Sequence, residues 1–206
     1  YKKDTLTHKI MEVAKMKTGA EVNSSPSFGP DGLIAVGAED GHVYFYKKNL
    51  LTQEITEVAK MKTGAGVSSS PAFGPDGLIA VGSYDNHVYF YKYNPLTQEI
   101  SEVAKMKTEA EVRSSPAFGL DGLIAVGSDD GNVYFYKHNP LTQEITEVAK
   151  MKTAGGVFSS PAFGPDGIVV IGSDDKKLHV YQIVPEDSKK QGASPWELWL
   201  GFLSSD

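Results

Sequence analysis

The chain has 206 residues, a formal net charge of −6 and no cysteine, and 40% of its residues are hydrophobic. A chain without cysteine has no disulfide, no thiolate metal site and no thiol nucleophile. No apolar run approaches the roughly 18 residues that a membrane-spanning helix requires. Among the 20 lysine and arginine residues only Arg113 is an arginine, whereas nucleic-acid binders concentrate basic residues on one face. Composition therefore predicts no membrane span and no nucleic-acid partner.

A 45-residue repeat fills most of the chain. Four copies of the block Ser-Ser-Pro-Ala-Phe-Gly, with Ser for Ala in the first copy, place their prolines at Pro26, Pro71, Pro116 and Pro161. A unit of this size is too small to bury its own apolar residues and must stack on copies of itself. We therefore predict one repeat body over residues 1–184 and a separate tail over residues 185–206.

The predicted elements follow the repeat in chain order. Residues 8–17 come first and copy the end of a repeat without the segments before it. In the second copy, residues 67–73 predict a short strand, and the Gly-Pro-Asp-Gly sequence at 74–77 predicts a tight turn, because Pro fixes one backbone angle and Gly accepts a positive φ. Residues 78–81 form an apolar run typical of a strand covered on both faces, and residues 87–92 predict a third strand.

The fourth segment of each repeat permits two predictions. Helical spacing relates Leu51, Ile55 and Val58, which indicates a helix. Apolar and polar residues alternate over residues 58–62, which indicates a pleated strand. We favour a strand with an irregularity, because strands explain the other three segments.

Four-stranded units that recur every roughly 40 to 50 residues are typical of a β-propeller, whose blades pack face to face around an axis. We predict an all-β fold, a β-propeller of four 45-residue four-stranded blades with a C-terminal tail. The last repeat lacks a copy of the fourth strand, and residues 8–17 supply that strand alone. We predict that this N-terminal strand closes the ring, which removes an exposed sheet edge. The sequence leaves open whether four blades close in one chain or eight are shared by two.

Residues 114–134 carry a recognisable motif. It reads Ser-Ser-Pro-Ala-Phe-Gly at 114–119 and Asp-Gly-Leu-Ile-Ala-Val-Gly-Ser-Asp-Asp-Gly-Asn-Val-Tyr at 121–134. This motif resembles the repeat of the pyrroloquinoline-quinone-type propellers, a superfamily of quinoprotein dehydrogenases and of non-catalytic members such as the outer-membrane assembly lipoprotein. The resemblance implies a propeller fold and an extracytoplasmic or secreted location.

The same resemblance argues against an enzyme. A quinoprotein of that family implies eight blades, a calcium site, an aspartate base and often a vicinal cysteine pair, whereas this chain has four repeats and no cysteine. Calcium needs about six or more convergent oxygens, and we interpret the Asp129-Asp130 and Asp174-Asp175 pairs as turn residues. Ser115 has no His or carboxylate that recurs beside it as a base. We predict no enzymatic activity, no cofactor and no metal site.

Differences between the repeats concentrate in two loops of each blade. One loop connects the fourth strand to the next blade, and the other joins the second and third strands. In a propeller these loops emerge on the same face, and loops of this kind usually carry binding sites, although exposed loops also drift faster in sequence. The predicted partner-binding residues in these loops are Glu21, Asn23, Glu39, His42, Tyr84, His87, Glu111, Arg113, Asp129, Phe158 and Lys176.

Two functions fit these observations. The first is a non-catalytic binding or assembly module that recognises a protein or small ligand through its variable loop face. The alternative is a lectin-like carbohydrate-binding propeller with one weak site in each blade, because near-identical repeats provide multivalency. The tail holds an apolar segment with Trp196, Trp199 and Phe202. This segment predicts either packing on its own propeller or a homo-oligomer contact.

Overall fold

The structure, a computed structural model, describes residues 10–49, 51–119 and 122–184. Across these ranges the chain forms 15 β-strands and short 3-10 turns, without an α-helix. The strands make three four-stranded sheets and one three-stranded sheet, all of them antiparallel. Each sheet corresponds to one repeat, so the predicted all-β architecture of four blades is confirmed. No part of the described chain forms a helix with the length and apolar character of a membrane span.

Strands that follow each other in sequence are neighbours in the sheet. The first blade contains β1 (Ser27–Phe28), β2 (Leu33–Ala38), β3 (His42–Lys48) and β4 (Ile55–Lys62). The second contains β5 (Ala72–Phe73), β6 (Leu78–Ser83), β7 (His87–Asn94) and β8 (Glu99–Lys107). The third contains β9 (Ala117–Phe118), β10 (Leu123–Gly127), β11 (Asn132–His138) and β12 (Ile145–Lys152). The fourth contains β13 (Ala162–Phe163), β14 (Ile168–Ser173) and β15 (Lys177–Gln182).

The Gly-Pro-Asp-Gly sequence forms a 3-10 turn between the first and second strands. In the second blade Asp76 (φ 56°) and Gly77 (φ 76°) both take left-handed backbone angles. Glycine accepts such an angle without strain, and aspartate tolerates it better than most residues. The Gly74 N–H donates to the Leu78 carbonyl at 2.8 Å and closes the turn. The tight turn predicted for residues 74–77 is therefore confirmed.

The fourth segment of the first three repeats is a strand and not a helix. It pairs antiparallel with the third strand of its blade. In the first blade Phe45 pairs with Ala59 and Tyr46 pairs with Glu57, so the register shifts by one residue at Val58. The second and third blades repeat this shift. The irregularity that we expected in this strand is thus a β-bulge.

The core lies between successive blades. Strand β6 is buried along its whole length, as the apolar run at 78–81 predicts. Tyr91 of the second blade meets Phe45 of the first edge-to-face, with ring centres 6.1 Å apart. Phe90 with Tyr136 and Phe135 with Tyr181 repeat this contact between the later blades. Stacked blades therefore bury apolar residues that a single repeat would leave exposed.

The ring is not closed in the described part of the chain. Residues 10–17 form no strand, and the fourth sheet has three strands. The closure that we predicted for residues 8–17 is therefore not observed, and residues 8 and 9 lie outside the described ranges. The contacts that stack each blade on the next do not recur between the last blade and the first. The phenylalanines equivalent to Phe28 in the later blades pack against the preceding blade, whereas Phe28 itself is 77% exposed. The predicted tail at 185–206, with Trp196, Trp199 and Phe202, also lies outside the described ranges.

Candidate interaction face

Two loops of each blade meet on one side of the propeller. The Tyr84 N–H, in the turn between β6 and β7, donates to the Gly66 carbonyl of the connector at 3.0 Å. The Val67 N–H of the same connector donates to the Ala38 carbonyl of the preceding blade at 3.0 Å. The third and fourth blades repeat both bonds. Each connector therefore lies between the turns of two successive blades, and the varied positions of both loops share one face.

An aspartate next to the varied turn position fixes these loops. Asp85 Oδ2 accepts a hydrogen bond from the Tyr89 hydroxyl at 2.5 Å and another from the Gly64 N–H at 2.9 Å. The first and third blades repeat the contact with Asp40 and Asp130. In the fourth blade the ring Nε2 of a histidine, His179, replaces the tyrosine and lies 2.9 Å from Asp175 Oδ2. These aspartates hold the scaffold, which agrees with their interpretation as turn residues.

Hydrogen bonds lower the pKa of the anchoring aspartates. Burial by itself would raise the pKa of Asp85, but the Tyr89 hydroxyl, the Gly64 N–H and nearby positive charge lower it below the usual 3.8. Asp130 shows the same balance, and its pKa is also lowered. A carboxylate whose pKa is lower in the folded than in the unfolded chain stabilises the fold fully above the unfolded pKa. That stabilisation is lost as the pH falls through the folded pKa, so these anchors weaken below about pH 4.

Tyr89→Phe removes the donor to Asp85 and is expected to lower the free energy of unfolding by about 1.5–3 kcal/mol at pH 7, because the acceptor is charged. The loss should shrink below about pH 4, where Asp85 is protonated in the unfolded chain before it is protonated in the folded chain. Tyr91→Phe is the matched control, since the Tyr91 hydroxyl is buried without a hydrogen-bond partner among the described residues. Urea denaturation of the three proteins at pH 7 and pH 3 measures both effects. Equal losses in the two variants would contradict the anchoring role.

Arg113 lies among varied residues from three blades. Its Nε and Nη2 donate to Glu111 Oε2 at 3.1 and 2.6 Å, and Nε lies 3.3 Å from Asp129 Oδ2. The guanidinium carbon lies 5.5 Å from the centre of the Tyr84 ring and 5.4 Å from that of Phe158. Both distances are within the range of a cation–π contact. The fold therefore brings together varied residues of the second, third and fourth blades.

Acidic groups dominate the charge around Arg113. Burial raises the pKa of Asp129; Arg113 opposes this effect, and the negative charges of Glu111, Asp130 and Asp174 reinforce it. The hydrogen bond to Glu111 raises the pKa of Arg113, so the guanidinium stays charged. One positive charge thus faces two carboxylates within contact distance, and the cluster keeps a negative charge.

The first blade extends the same face. Asn23 Nδ2 donates to Glu39 Oε1 at 3.0 Å, and the Glu39 N–H donates to the Glu21 carbonyl at 2.9 Å. A Cβ atom on Gly66 would lie 2.5 Å from Glu39 Oε2 and 3.1 Å from the Tyr84 ring, so glycine lets these side chains approach. We define the varied face as the eight predicted residues in this continuous surface: Glu21, Asn23, Glu39, Tyr84, Glu111, Arg113, Asp129 and Phe158.

Three predicted residues contact their own turns instead. His42 Nδ1 lies 3.1 Å from the Asp40 carbonyl oxygen, and His87 Nδ1 lies 2.7 Å from that of Asp85. Lys176 occupies the left-handed position of the last turn, at φ 67°, and its N–H donates to the Ser173 carbonyl at 3.0 Å. Among the described residues, His, Asp and Glu side chains form no group of three that could hold a metal ion. The two histidines therefore help to shape their turns.

Sequence reasoning interpreted Asp174 as a turn residue and did not include it among the predicted partner-binding residues. This residue holds the same position in the fourth repeat as Glu39, Tyr84 and Asp129 hold in the first three. Its charge acts on Asp129, and its N–H donates to the Gly156 carbonyl at 2.9 Å. The 45-residue spacing from Asp129 is the signal that identifies it.

Neither the models of known protein families nor the sequences of curated proteins match this chain. Solved structures do. A chain of the mitotic checkpoint complex superposes with a TM-score of 0.64 at 19% identity over 82% of this chain and 51% of that chain. Sqt1 of Saccharomyces cerevisiae superposes with a TM-score of 0.68 at 15% identity over 79% of this chain and 45% of that chain. This chain therefore spans about half the length of both similar chains. Both are WD40 β-propellers, and the comparisons thus establish that the chain has a β-propeller fold.

Proposed function

We propose that this chain is a non-catalytic protein-interaction module that binds a basic segment of a protein partner through the varied face. The observation that carries the proposal is the convergence of Glu111, Asp129, Tyr84 and Phe158 around Arg113. These positions differ from blade to blade, whereas the residues that stack the blades are repeated. Variation on a constant frame is the arrangement expected where loops recognise a partner.

The composition of the varied face supports a basic partner. Four of its eight residues are acidic, one is basic and two are aromatic. Acidic side chains favour lysine and arginine on a partner, and aromatic side chains are common anchors at the centre of protein interfaces. Phe158 is 39% exposed and is therefore available for such a contact.

The positions of two cavities support a protein partner over a small ligand. Cavities of about 600 and 440 Å³ are lined by residues outside the varied face. Small-molecule sites are usually enclosed clefts, whereas protein partners bind broad surfaces. A chain of similar fold belongs to a protein complex, the mitotic checkpoint complex, which adds support for a protein partner here.

Two further predictions from the sequence belong to this proposal: the type of propeller and the alternative of carbohydrate binding. Assignment to the pyrroloquinoline-quinone-type propellers rests on the repeat motif at 114–134. Lectin-like carbohydrate binding would need one similar site in each blade, whereas the varied face offers different residues in each. We therefore place protein recognition ahead of carbohydrate recognition.

Binding of the intact chain to an array of synthetic peptides of graded net charge, beside a glycan array, tests the proposal. We expect basic peptides with aromatic or aliphatic residues to bind, and their affinity to fall as salt rises. Replacing Tyr84, Glu111 and Phe158 together with alanine should weaken this binding by about tenfold or more, because acidic and aromatic side chains are the groups that contact a basic peptide.

The control variant replaces three exposed leucines, Leu51, Leu96 and Leu141, with alanine. They lie in the loops between the third and fourth strands, at the opposite ends of the strands from the varied face. This variant should bind as the unchanged chain does. Loss of binding in the leucine variant alone, equal binding of basic and acidic peptides, or binding to glycans only would contradict the proposal.

A further inference from the structure

Successive blades lock together through one repeated contact. A Cβ atom on Gly29 of the first blade would lie 2.3 Å from the ring of Phe73 in the second. The same clash would occur between Gly74 and Phe118 at 2.3 Å, and between Gly119 and Phe163 at 2.4 Å. Each glycine therefore forms a socket that the phenylalanine of the following blade fills.

A second socket accompanies the first. A Cβ atom on Gly37 would lie 2.3 Å from the side chain of Val67 in the next blade. Gly82 with Val112 and Gly127 with Val157 repeat this fit at 2.4 and 2.3 Å. Val67, Val112 and Val157 are fully buried as a result. Two glycine sockets thus define the joint between blades.

Among the described residues, none occupies either socket of the last blade. The nearest atom to a Cβ on Gly164 is the Cβ of Ile168, at 3.7 Å, and around Gly172 only Ser159 comes within 4 Å. Phe28 and Val22 of the first blade are equivalent to the side chains that fill the sockets in the other blades. Neither is packed in this way, since Phe28 is 77% exposed and Val22 is 46% exposed. The two ends of the stack are therefore complementary surfaces.

Within the described ranges the sheet of the last blade has three strands and no fourth strand. An apolar groove of about 440 Å³ lies beside β12 and β15, and Val148, Met151 and Val180 line it. Val148 is 53% exposed, although its equivalents Val58 and Val103 are partly buried. In the first two blades this region packs against the neighbouring blade, and β4 contacts β8 there.

Residues 10–17 match the missing strand. Their last five residues, Val-Ala-Lys-Met-Lys, are identical to residues 58–62 of β4. The segment leads into a connector that is anchored to the first blade, since the Gly19 N–H donates to Asp40 Oδ2 at 3.1 Å and to the Tyr44 hydroxyl at 3.0 Å. The segment therefore stands where the fourth strand of a preceding blade would stand. Any blade that docks on the first blade meets this segment at its edge.

The complementarity of the two ends indicates where that docking blade comes from. In the single chain Phe28 and Val22 do not fill the sockets at Gly164 and Gly172, so the described last blade does not reach the first blade there. A second copy, related by a twofold axis, reaches both ends at once and forms two identical joints.

We propose that a second copy of this chain completes the ring, with residues 10–17 of each copy adding as the fourth strand to β15 of the other. Phe28 and Val22 of one copy then fill the sockets at Gly164 and Gly172 of its partner. The register of β3 with β4 transfers directly, so Ala14 pairs with Val180 as Ala59 pairs with Phe45. The assembly has four blades from each chain and no exposed sheet edge at either joint.

Cysteine scanning in this cysteine-free chain tests the pairing. Ala14→Cys chains are mixed with Val180→Cys chains, oxidised and separated without reductant. A disulfide between the two different chains is expected, whereas Lys15→Cys with Val180→Cys should cross-link at least about fivefold less, because a one-residue step turns the side chain to the other face of the sheet. The double variant A14C/V180C reports closure within one chain as a linked monomer, and that result would overturn the proposal.

Sedimentation velocity provides the second measurement. The unchanged chain should have twice its mass of 22.2 kDa, and Phe28→Asp should raise the dimer dissociation constant by about a hundredfold or more, since it buries a charge at the joint. Leu51→Asp places the same charge at a leucine that is 95% exposed and lies outside the joint, so it should leave the dimer intact. Deletion of residues 195–206 should also leave it intact. A monomer at all concentrations, or a dimer that depends on residues 195–206 and not on Phe28, would overturn the proposal.

Discussion

Gly82→Ala is expected to lower the free energy of unfolding by about 3 kcal/mol, because overpacking a joint between rigid strands displaces both. The added Cβ would lie 2.4 Å from Val112 Cγ1 and 2.5 Å from the Val112 carbonyl oxygen. A side chain could rotate away from this clash, but the carbonyl belongs to the backbone of the next blade. The second and third blades would therefore have to separate.

The repeat supplies an internal control for this substitution. Gly172 holds the same position in the last blade, and the nearest atom to its added Cβ would be Ser159 Oγ at 3.3 Å. Gly172→Ala should change stability by no more than about 0.5 kcal/mol in dilute solution, where each chain is separate. Chemical denaturation of both variants measures the difference. Equal losses would mean that backbone flexibility, and not the joint, determines the effect.

Tyr136→Ala is expected to lower the free energy of unfolding by about 3–5 kcal/mol, the range for a large buried aromatic side chain. Tyr136 is fully buried and meets Phe90 of the preceding blade edge-to-face, with ring centres 5.6 Å apart. Truncation would leave a cavity at the joint between the second and third blades. Thermal unfolding at pH 7 would show a lower Tm for the whole chain.

Tyr136→Phe separates the ring from the hydroxyl. The hydroxyl is buried and has no hydrogen-bond partner among the described residues. Burial raises the pKa of Tyr136, as expected for a group kept from water. Removing an unsatisfied buried hydroxyl should leave stability unchanged or raise it slightly. A loss close to that of the alanine variant would show that the hydroxyl, and not the ring, stabilises the joint.

Local sequence patterns were sufficient for the turns and for most strands, but the strand predicted over residues 67–73 is wrong in length, because only Ala72–Phe73 pairs with β6. The Gly-Pro-Asp-Gly turn, the apolar run of β6 and the Val-Tyr-Phe-Tyr strand follow from side-chain alternation and from backbone angles that Gly and Pro favour. The bulge at Val58 explains why helical spacing also fitted the fourth segment. One extra residue in a strand breaks strict alternation and mimics a longer period.

The candidate site was predictable in part. Comparison of repeats identified Tyr84, Arg113, Asp129 and Phe158 as varied loop residues, but their contacts join three blades. No local pattern encodes such contacts, because they depend on the angle between blades. His42 and His87 carried the same sequence signal of variation, yet their rings bind their own turns.

The sequence by itself determined the period, the strands and the four-blade architecture, because each depends on interactions within one repeat or between identical neighbours. Only the tertiary structure decided which copies of a repeated position pack against a neighbouring blade and which stay exposed. Phe28 and Phe73 belong to the same motif, and so do Gly164 and Gly29. Phe73 fills the socket at Gly29 inside the stack, whereas Phe28 and Gly164 lie at its two ends. Burial depends on which residues lie next to a blade, and nearly identical repeats do not indicate which of them lie at the ends of the stack.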